Sequence, residues 1–205
     1  MAKTIKDLIG QATIASRLTN SELFSGIQRS AEGYDALMSK LDGVDFSKVS
    51  SSDKNALHKK IGNQKAKLDS EINRVTTQLV NKMDMAQNNY KVASQPTSQD
   101  FALAGLMAGK SKSELLEMGY KSSAAARLLT QSEAGAMAGL DPKALESLAK
   151  NAAPEQYQAI EDVKGLAKHL TDLGAVAEQA HTATLGKYQV TATDNKVFDA
   201  LSGEE

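Results

Sequence analysis

Through residue 95, apolar residues recur at steps of three and four, the period of helices that each bury one stripe. Thr4, with Asp7 three residues on, opens a first helix carrying Ile5, Leu8, Ile9, Ala12 and Ala15 on one side. Asn20 or Ser21 caps a second helix, in which Phe24, Ile27, Ala31, Tyr34, Met38 and Leu41 form a narrow seam of about two and a half heptads. Asp42-Gly43 ends it, and Val44 to Ser52 reads as a polar connection anchored by Phe46 and Val49. Ser52 or Asp53 then caps a third segment, which the lack of any proline before Pro96 allows to run unbroken from about 53 to 93. Forty helical residues would span about 60 Å. The stripe on this segment is Ile61, Leu68, Ile72, Val75, Leu79 and Ala86, with Lys65 and Lys82 at intervening inward positions.

The pattern changes at Ser94-Gln95-Pro96-Thr97-Ser98-Gln99, which marks a boundary between a helical arm (1–95) and a second helical domain (96–205). At an offset of thirty the second half matches itself: Ala104-Gly105-Leu106-Met107-Ala108-Gly109 aligns with Ala134-Gly135-Ala136-Met137-Ala138-Gly139. Six of the fifteen positions from 104 to 118 are identical, with Leu115 on Leu145 and Met118 on Leu148. Each copy (about 98–118 and 128–148) reads as a short helix, a turn and a second short helix. Ser111 or Ser113 caps the second helix of copy one; Asp141 followed by Pro142 does so in copy two. The glycines four apart in each copy predict close approach of a neighbouring backbone. A long helix follows from about 154 to 185, with Tyr157, Ile160, Val163, Ala167, Leu170, Leu173, Ala177 and Ala180 on one face. Gly165 and Gly174 within it suggest a second helix lying close. The tail alternates at Tyr188, Val190 and Ala192 and ends in an apolar turn around Val197, Phe198 and Leu201.

Composition sharpens this picture. Alanine occurs 30 times and aromatics make up 4% of the 205 residues, which favours helices over strands. The fold class expected is therefore all-α: long antiparallel helices, a duplicated helical hairpin and a short C-terminal tail. The absence of cysteine removes disulfides, zinc ribbons and thiol nucleophiles. Lysine and arginine number 14 up to residue 95 and 10 after it, against 10 and 15 acids, so the halves carry +4 and −5 within a net charge of −1. That balance excludes a strongly basic nucleic-acid coat and is compatible with head-to-tail association of copies. The N-terminus lacks the apolar core of a signal peptide, and the most apolar run, Phe101 to Gly109, is less than half a membrane span. A soluble protein of the cytoplasm, or one within an assembled particle, is expected.

Few constellations carry chemistry. Glu178-Gln179-Ala180-His181 has the E-x-x-H spacing that puts two ligands on one helix face, but no second copy exists, and it reads with His169–Asp172 as a satisfied surface pair. Gly109-Lys110-Ser111 resembles the end of a phosphate loop but is one residue short and follows a helical run. Lys54, Lys59, Lys60, Lys65 and Lys67 concentrate positive charge without interleaved aromatics, the pattern of a solvated helix face, with contact to nucleic acid or an acidic protein as the alternative. No catalytic residues, metal ligands or cofactors are assigned, and a non-enzyme is expected.

One resemblance is local. Residues 108–129, with a G-K-S opening, Glu114-Leu115, the Gly119-Tyr120 pair and Ser123-Ala124, look like a helix-turn-helix of the LuxR-type output domain or phage small-terminase kind. The resemblance implies that Lys121, Ser122, Ser123 and Arg127 face phosphates or base edges while Leu115, Leu116, Ala125 and Leu128 hold the helices together. The sequence departs from that family in its three consecutive alanines, its single arginine and its acidic surroundings.

Thin stripes on long helices predict burial by other protein. The expected function is thus a non-catalytic assembly protein, similar in style to scaffolding, inner-core or connector proteins of phage particles. Its partner would be itself or a larger assembly, through a seam of Phe24, Ile27, Tyr34, Met38, Leu41, Ile61, Leu68, Ile72, Val75 and Leu79. The alternative is nucleic-acid binding through about 111–129. A third reading is a secreted helical effector or membrane-active protein.

Overall fold

Capping and periodicity set the helices of the computed structural model, which describes residues 4–18, 22–41, 44–45 and 48–187. In chain order these are α1 (Ile5–Leu18), α2 (Ser25–Ser39), α3 (Ser51–Ala93), α4 (Ala104–Met107), α5 (Lys112–Lys121), α6 (Ser123–Gln131), α7 (Ala134–Met137), α8 (Pro142–Ala152) and α9 (Pro154–Lys187). Single 3₁₀ turns at Glu22–Phe24 and Asp100–Leu103 precede α2 and α4. The described residues contain no strand, and the fold class is all-α. The proposed caps Asn20 and Ser21, the Asp42-Gly43 stop, Phe46 and the tail from Tyr188 lie outside the described residues.

The same device starts four elements. Thr4 and Asp7 bond reciprocally, the Thr4 amide donating to the Asp7 carboxylate at 2.8 Å and the Asp7 amide to the Thr4 hydroxyl at 3.3 Å. Ser50 and Asp53 begin α3, so Ser50 supplies the cap expected of Ser52 or Asp53. Thr97 and Asp100 open the second 3₁₀ turn. Ser111 and Glu114 make a full capping box on α5, so Ser111 and not Ser113 is the cap. Its two bonds from Ser111 and the Lys110 ammonium bring the Glu114 carboxyl down to about 2. Each box satisfies amides that the first helical turn leaves without partners.

The described residues divide into two compact units: those up to Gln78 with those from Leu166 on, and Leu79–Gly165. The boundary expected near residue 96 is therefore not where the chain divides. Both divisions fall inside long helices, because a stripe is continuous along a helix while the segments that cover it change.

In the first unit α1 packs on α2. Gly26 of α2 lies against the Glu71 and Arg74 side chains of α3, and Gly33 faces Gln64, which makes the two helices antiparallel. Leu8, Ala12, Phe24, Ile27, Ala31, Tyr34, Ile61 and Leu68 are fully buried, with Leu173, Ala177 and Ala180 of α9 nearly so. This corrects the reading of the seam as a partner surface. Phe24, Ile27, Tyr34, Ile61, Leu68, Val75 and Leu79 are buried in the chain itself, and Met38, Leu41 and Ile72 are half-buried. Periodicity identifies what must be covered; it does not say whether the cover comes from the same chain. Lys65 is inward as expected, whereas Lys82 is exposed and Met83 takes the half-buried place beside it. Gly165 and Gly174 have no described atom within 4 Å of where a side chain would begin, so the close approach expected there is not made by the described residues.

The second unit holds the duplicated hairpin around a core of Met107, Leu115, Ala125, Leu128, Leu129, Leu140 and Leu148. The offset of thirty survives in three dimensions. The one-turn helices are Ala104–Met107 and Ala134–Met137, the left-handed glycines are Gly109 (φ 75°) and Gly139 (φ 69°), and the caps are Ser111 and Asp141. The second glycine of each pair thus serves a chain reversal that other residues resist. It is not there to admit a neighbouring backbone.

Candidate functional site

Two features stand out, one in each unit. In the second unit an apolar groove of about 500 Å³ runs between the two copies of the hairpin. Its floor is Met107, Leu115, Leu128 and Leu129, and its rim includes Phe101 and Met137. Phe101 is 56% and Met137 83% exposed, and Leu106, beside Met107 on α4, is 66% exposed. Large apolar side chains edging an apolar cleft are what a recognition surface for another apolar segment looks like. Lys110 at the lip pairs with Glu114 at 3.1 Å. The sequence marks the segments that line this groove, Phe101 to Gly109 as an apolar stretch and Ala104–Gly109 with Ala134–Gly139 as a repeat, but carries no signal that a groove opens between them.

Beside the groove, the buried Asp100 pairs with the half-buried Arg127. The guanidinium donates to both carboxylate oxygens, at 2.8 and 2.9 Å, and to the Ala152 carbonyl at the end of α8 at 3.2 Å. Asp100 is 4% exposed. Arg127, above all, holds its carboxyl well below the usual carboxylate range against the opposing effect of burial, and the Thr97 amide adds to this.

That pair corrects the helix-turn-helix reading. Arg127, its only arginine, is spent inside the fold. Ser122 is the sole residue between α5 and α6 and caps α6 by accepting from the Ala125 amide, where a helix-turn-helix has a turn of about three or four residues. Gly119 and Tyr120, where the resemblance implies a glycine-aromatic turn, lie within α5. Gly119 packs under the tips of Leu148 and Leu129, and the Tyr120 hydroxyl donates to Ser147 at 3.0 Å. Lys121 is paired with Glu117, and Ser123 is exposed. The expectation that Leu115, Ala125 and Leu128 hold the helices together does hold, with Leu116 packed on their cluster.

In the first unit a polar cluster joins three helices. Tyr34 of α2 has no exposed surface, and its hydroxyl lies 2.8 Å from Nδ1 of His181 on α9. Burial pushes the Tyr34 phenol up to about 12, with the Thr184 hydroxyl pulling the other way. Lys65 of α3 meets Asp69 at 2.7 Å and Glu178 of α9 at 3.0 Å. Burial works to discharge this ammonium, but the two carboxylates outweigh it and its pKa is raised. His181 is held below its ordinary 6.5 by burial first and by Lys65 second, against the pull of Glu178 and Asp69.

The Glu178-x-x-His181 spacing thus serves helix packing, each member engaging a different neighbour. It is more than the surface pair expected from sequence. Among the described residues no group of three or more His, Asp or Glu side chains comes together as metal ligands. His169 and Asp172 line a shallow cleft on α9 with Gln11, Ile14 and Ala15 of α1. Of the basic run, Lys59, Lys60 and Lys67 are exposed, while Lys65 turns inward. Gly109-Lys110-Ser111 is the reversal and cap described above. No described helix is long and apolar enough to cross a membrane. Comparison of the chain with protein-family models, with curated proteins and with solved structures gave no match.

Proposed function

We propose that the protein is a non-catalytic assembly component that works through helix–helix contacts, of the scaffolding, inner-core or connector type found in phage particles or comparable bacterial assemblies. The observation that carries the reading is the apolar groove of the second unit with Phe101 and Met137 exposed on its rim. Large exposed apolar groups beside a cleft gain by being covered, at about 25 cal/mol per Å² removed from water. The groove replaces the buried seam as the surface through which a second copy, or another helical component, is engaged.

Light scattering over a concentration series tests this. A mass that is a multiple of 21.8 kDa, or co-purification with a larger particle, supports the reading. Exchange of both Phe101 and Met137 for glutamate should then abolish the association and leave the far-UV dichroism unchanged. A protein that stays monomeric at every concentration and joins no particle overturns it.

A further inference from the structure

We propose that the groove of the second unit is a self-complementary contact through which two copies of this chain form a closed, two-fold dimer, each setting its Phe101 and Met137 against the other's groove. The inference rests on the assembly role proposed above and names the partner, a second copy.

Projection and recess lie on one face. Met137 is the most exposed large apolar side chain among the described residues, and Phe101 and Leu106 stand out near it. Phe101 and Met137 edge the cleft, whose floor of Met107, Leu115, Leu128 and Leu129 offers a recess of about 500 Å³. An unbranched thioether such as Met137 adapts to an irregular apolar recess. A surface that carries both the projecting groups and the recess for them fits a copy of itself.

Polarity favours the same partner. Of the 13 residues lining the cleft, Lys110 is the only ionisable one, and Glu114 of its own chain balances it at 3.1 Å. The Ser132 hydroxyl, also in the lining, donates to the Leu128 carbonyl. Two copies can therefore meet face to face without burying a charge that lacks its partner, a cost that would oppose the contact. A charged helix face would find no counter-charge in this lining.

Symmetry then sets the stoichiometry. Where the complementary features share one patch, each protomer commits the whole of it to the other, and the contact closes at two. Size sets the strength. A lining of 13 residues falls short of the about 20–30 residues a side of a standard interface, so the dimer is reversible, with a Kd in the micromolar range.

The test uses the whole chain. Across a micromolar concentration series, sedimentation equilibrium should show the mass rising from 21.8 kDa to a plateau at twice that value. Met137→Ala and Phe101→Ala should each raise the Kd about tenfold, as central apolar anchors do. Val92→Ala, which removes another exposed apolar side chain but one on α3 outside the lining, should leave it unchanged. The Kd should also change less than about twofold between about 50 and about 500 mM salt, because no ion pair crosses the contact. Head-to-tail association of the +4 and −5 halves would instead weaken with salt and build masses beyond two copies. A mass that climbs past the dimer, a dimer that salt dissolves, or one indifferent to both Met137→Ala and Phe101→Ala overturns the inference. A monomer that joins a larger particle overturns it and leaves the assembly role standing; a monomer that joins none overturns both. Should the variants lose the far-UV dichroism of the wild type, the wild-type plateau and its response to salt decide the matter.

Discussion

The two copies of the hairpin share their order of elements but differ in environment and, at the residue before the second glycine, in backbone: Ala108 is extended (ψ 132°) where Ala138 is helical (ψ −4°). Ala104–Met107 and Ala134–Met137 are the same single helical turn, followed by the same left-handed glycine and a capped helix. Yet Met107 is 8% exposed and Met137 83%, and Leu148 is fully buried where its counterpart Met118 is only half-buried. An added Cβ at Gly105 would meet nothing within 4 Å. At Gly135 it would collide with the Leu129 carbonyl and come within 2.7 Å of Leu145 Cδ2. Local conformation repeats because the residues that specify it repeat: helix formers, a glycine for positive φ, a capping oxygen. Burial does not, because it depends on what each copy meets. Both copies line the groove, copy one through Met107 and Leu115 on the floor and Phe101 on the rim, copy two through Leu128 and Leu129 on the floor and Met137 on the rim.

Arg127 is the joint between the copies, since it holds Asp100 at the start of the first and the Ala152 carbonyl just past the second. Arg127→Met should be the most damaging change, about 3–5 kcal/mol by urea unfolding, because it leaves Asp100 buried without its partner. The pair also gives a pH signature. A carboxyl depressed in the fold stabilises above its unfolded pKa, near 3.8, and that contribution is lost as pH falls below it. Wild-type stability should therefore decline below about pH 4, and the decline should be shallower in Arg127→Met, where Glu114 and the Thr97 bonds to Asp100 still contribute.

Next in size, Leu148→Ala should cost about 2–5 kcal/mol, as for a fully buried leucine, while Met118→Ala at the matching position costs clearly less. The glycines then separate local from tertiary causes. Gly135→Ala should destabilise by about 1–3 kcal/mol through overpacking, and Gly105→Ala should be neutral or gain up to about 1 kcal/mol from helix propensity. Gly109→Ala and Gly139→Ala should each cost about 1–2 kcal/mol, because both sites need positive φ. If Gly105 and Gly135 respond alike, or Gly109 and Gly139 differently, the separation of shared backbone from unshared environment fails. Smallest of all, Ser111→Ala and Asp141→Ala should each cost about 1 kcal/mol through lost caps.

Much of the first half could be read in advance. The α1 and α2 stripes, the unbroken α3 and the Thr4–Asp7 box all follow from residues close in sequence, and their energetics are local. The same reading misjudged Gly165 and Gly174, where the expected close approach is not made by the described residues, and Lys82, which faces out. Asp100 shows a missed signal. Thr97-x-x-Asp100 has the spacing of the boxes at Thr4, Ser50 and Ser111, so its capping role was legible, but its pairing with Arg127 twenty-seven residues on was not. The helix-turn-helix likeness misled for a related reason. Glycine followed by an aromatic marks a turn in many chains, whereas here glycine is needed for packing under Leu148 within a continuous helix.

The sequence by itself determined that the chain is helical, where most helices begin, and that a thirty-residue unit is used twice. Those are matters of capping oxygens, φ preferences and apolar period, each decided within a few residues. Only the tertiary structure decided that the long seams are covered from within, that Arg127 faces an aspartate, that Tyr34 meets His181, and that a groove opens between the copies. Such outcomes rest on which surfaces distant segments bring together, and burial and pairing are properties of that meeting, not of either segment alone.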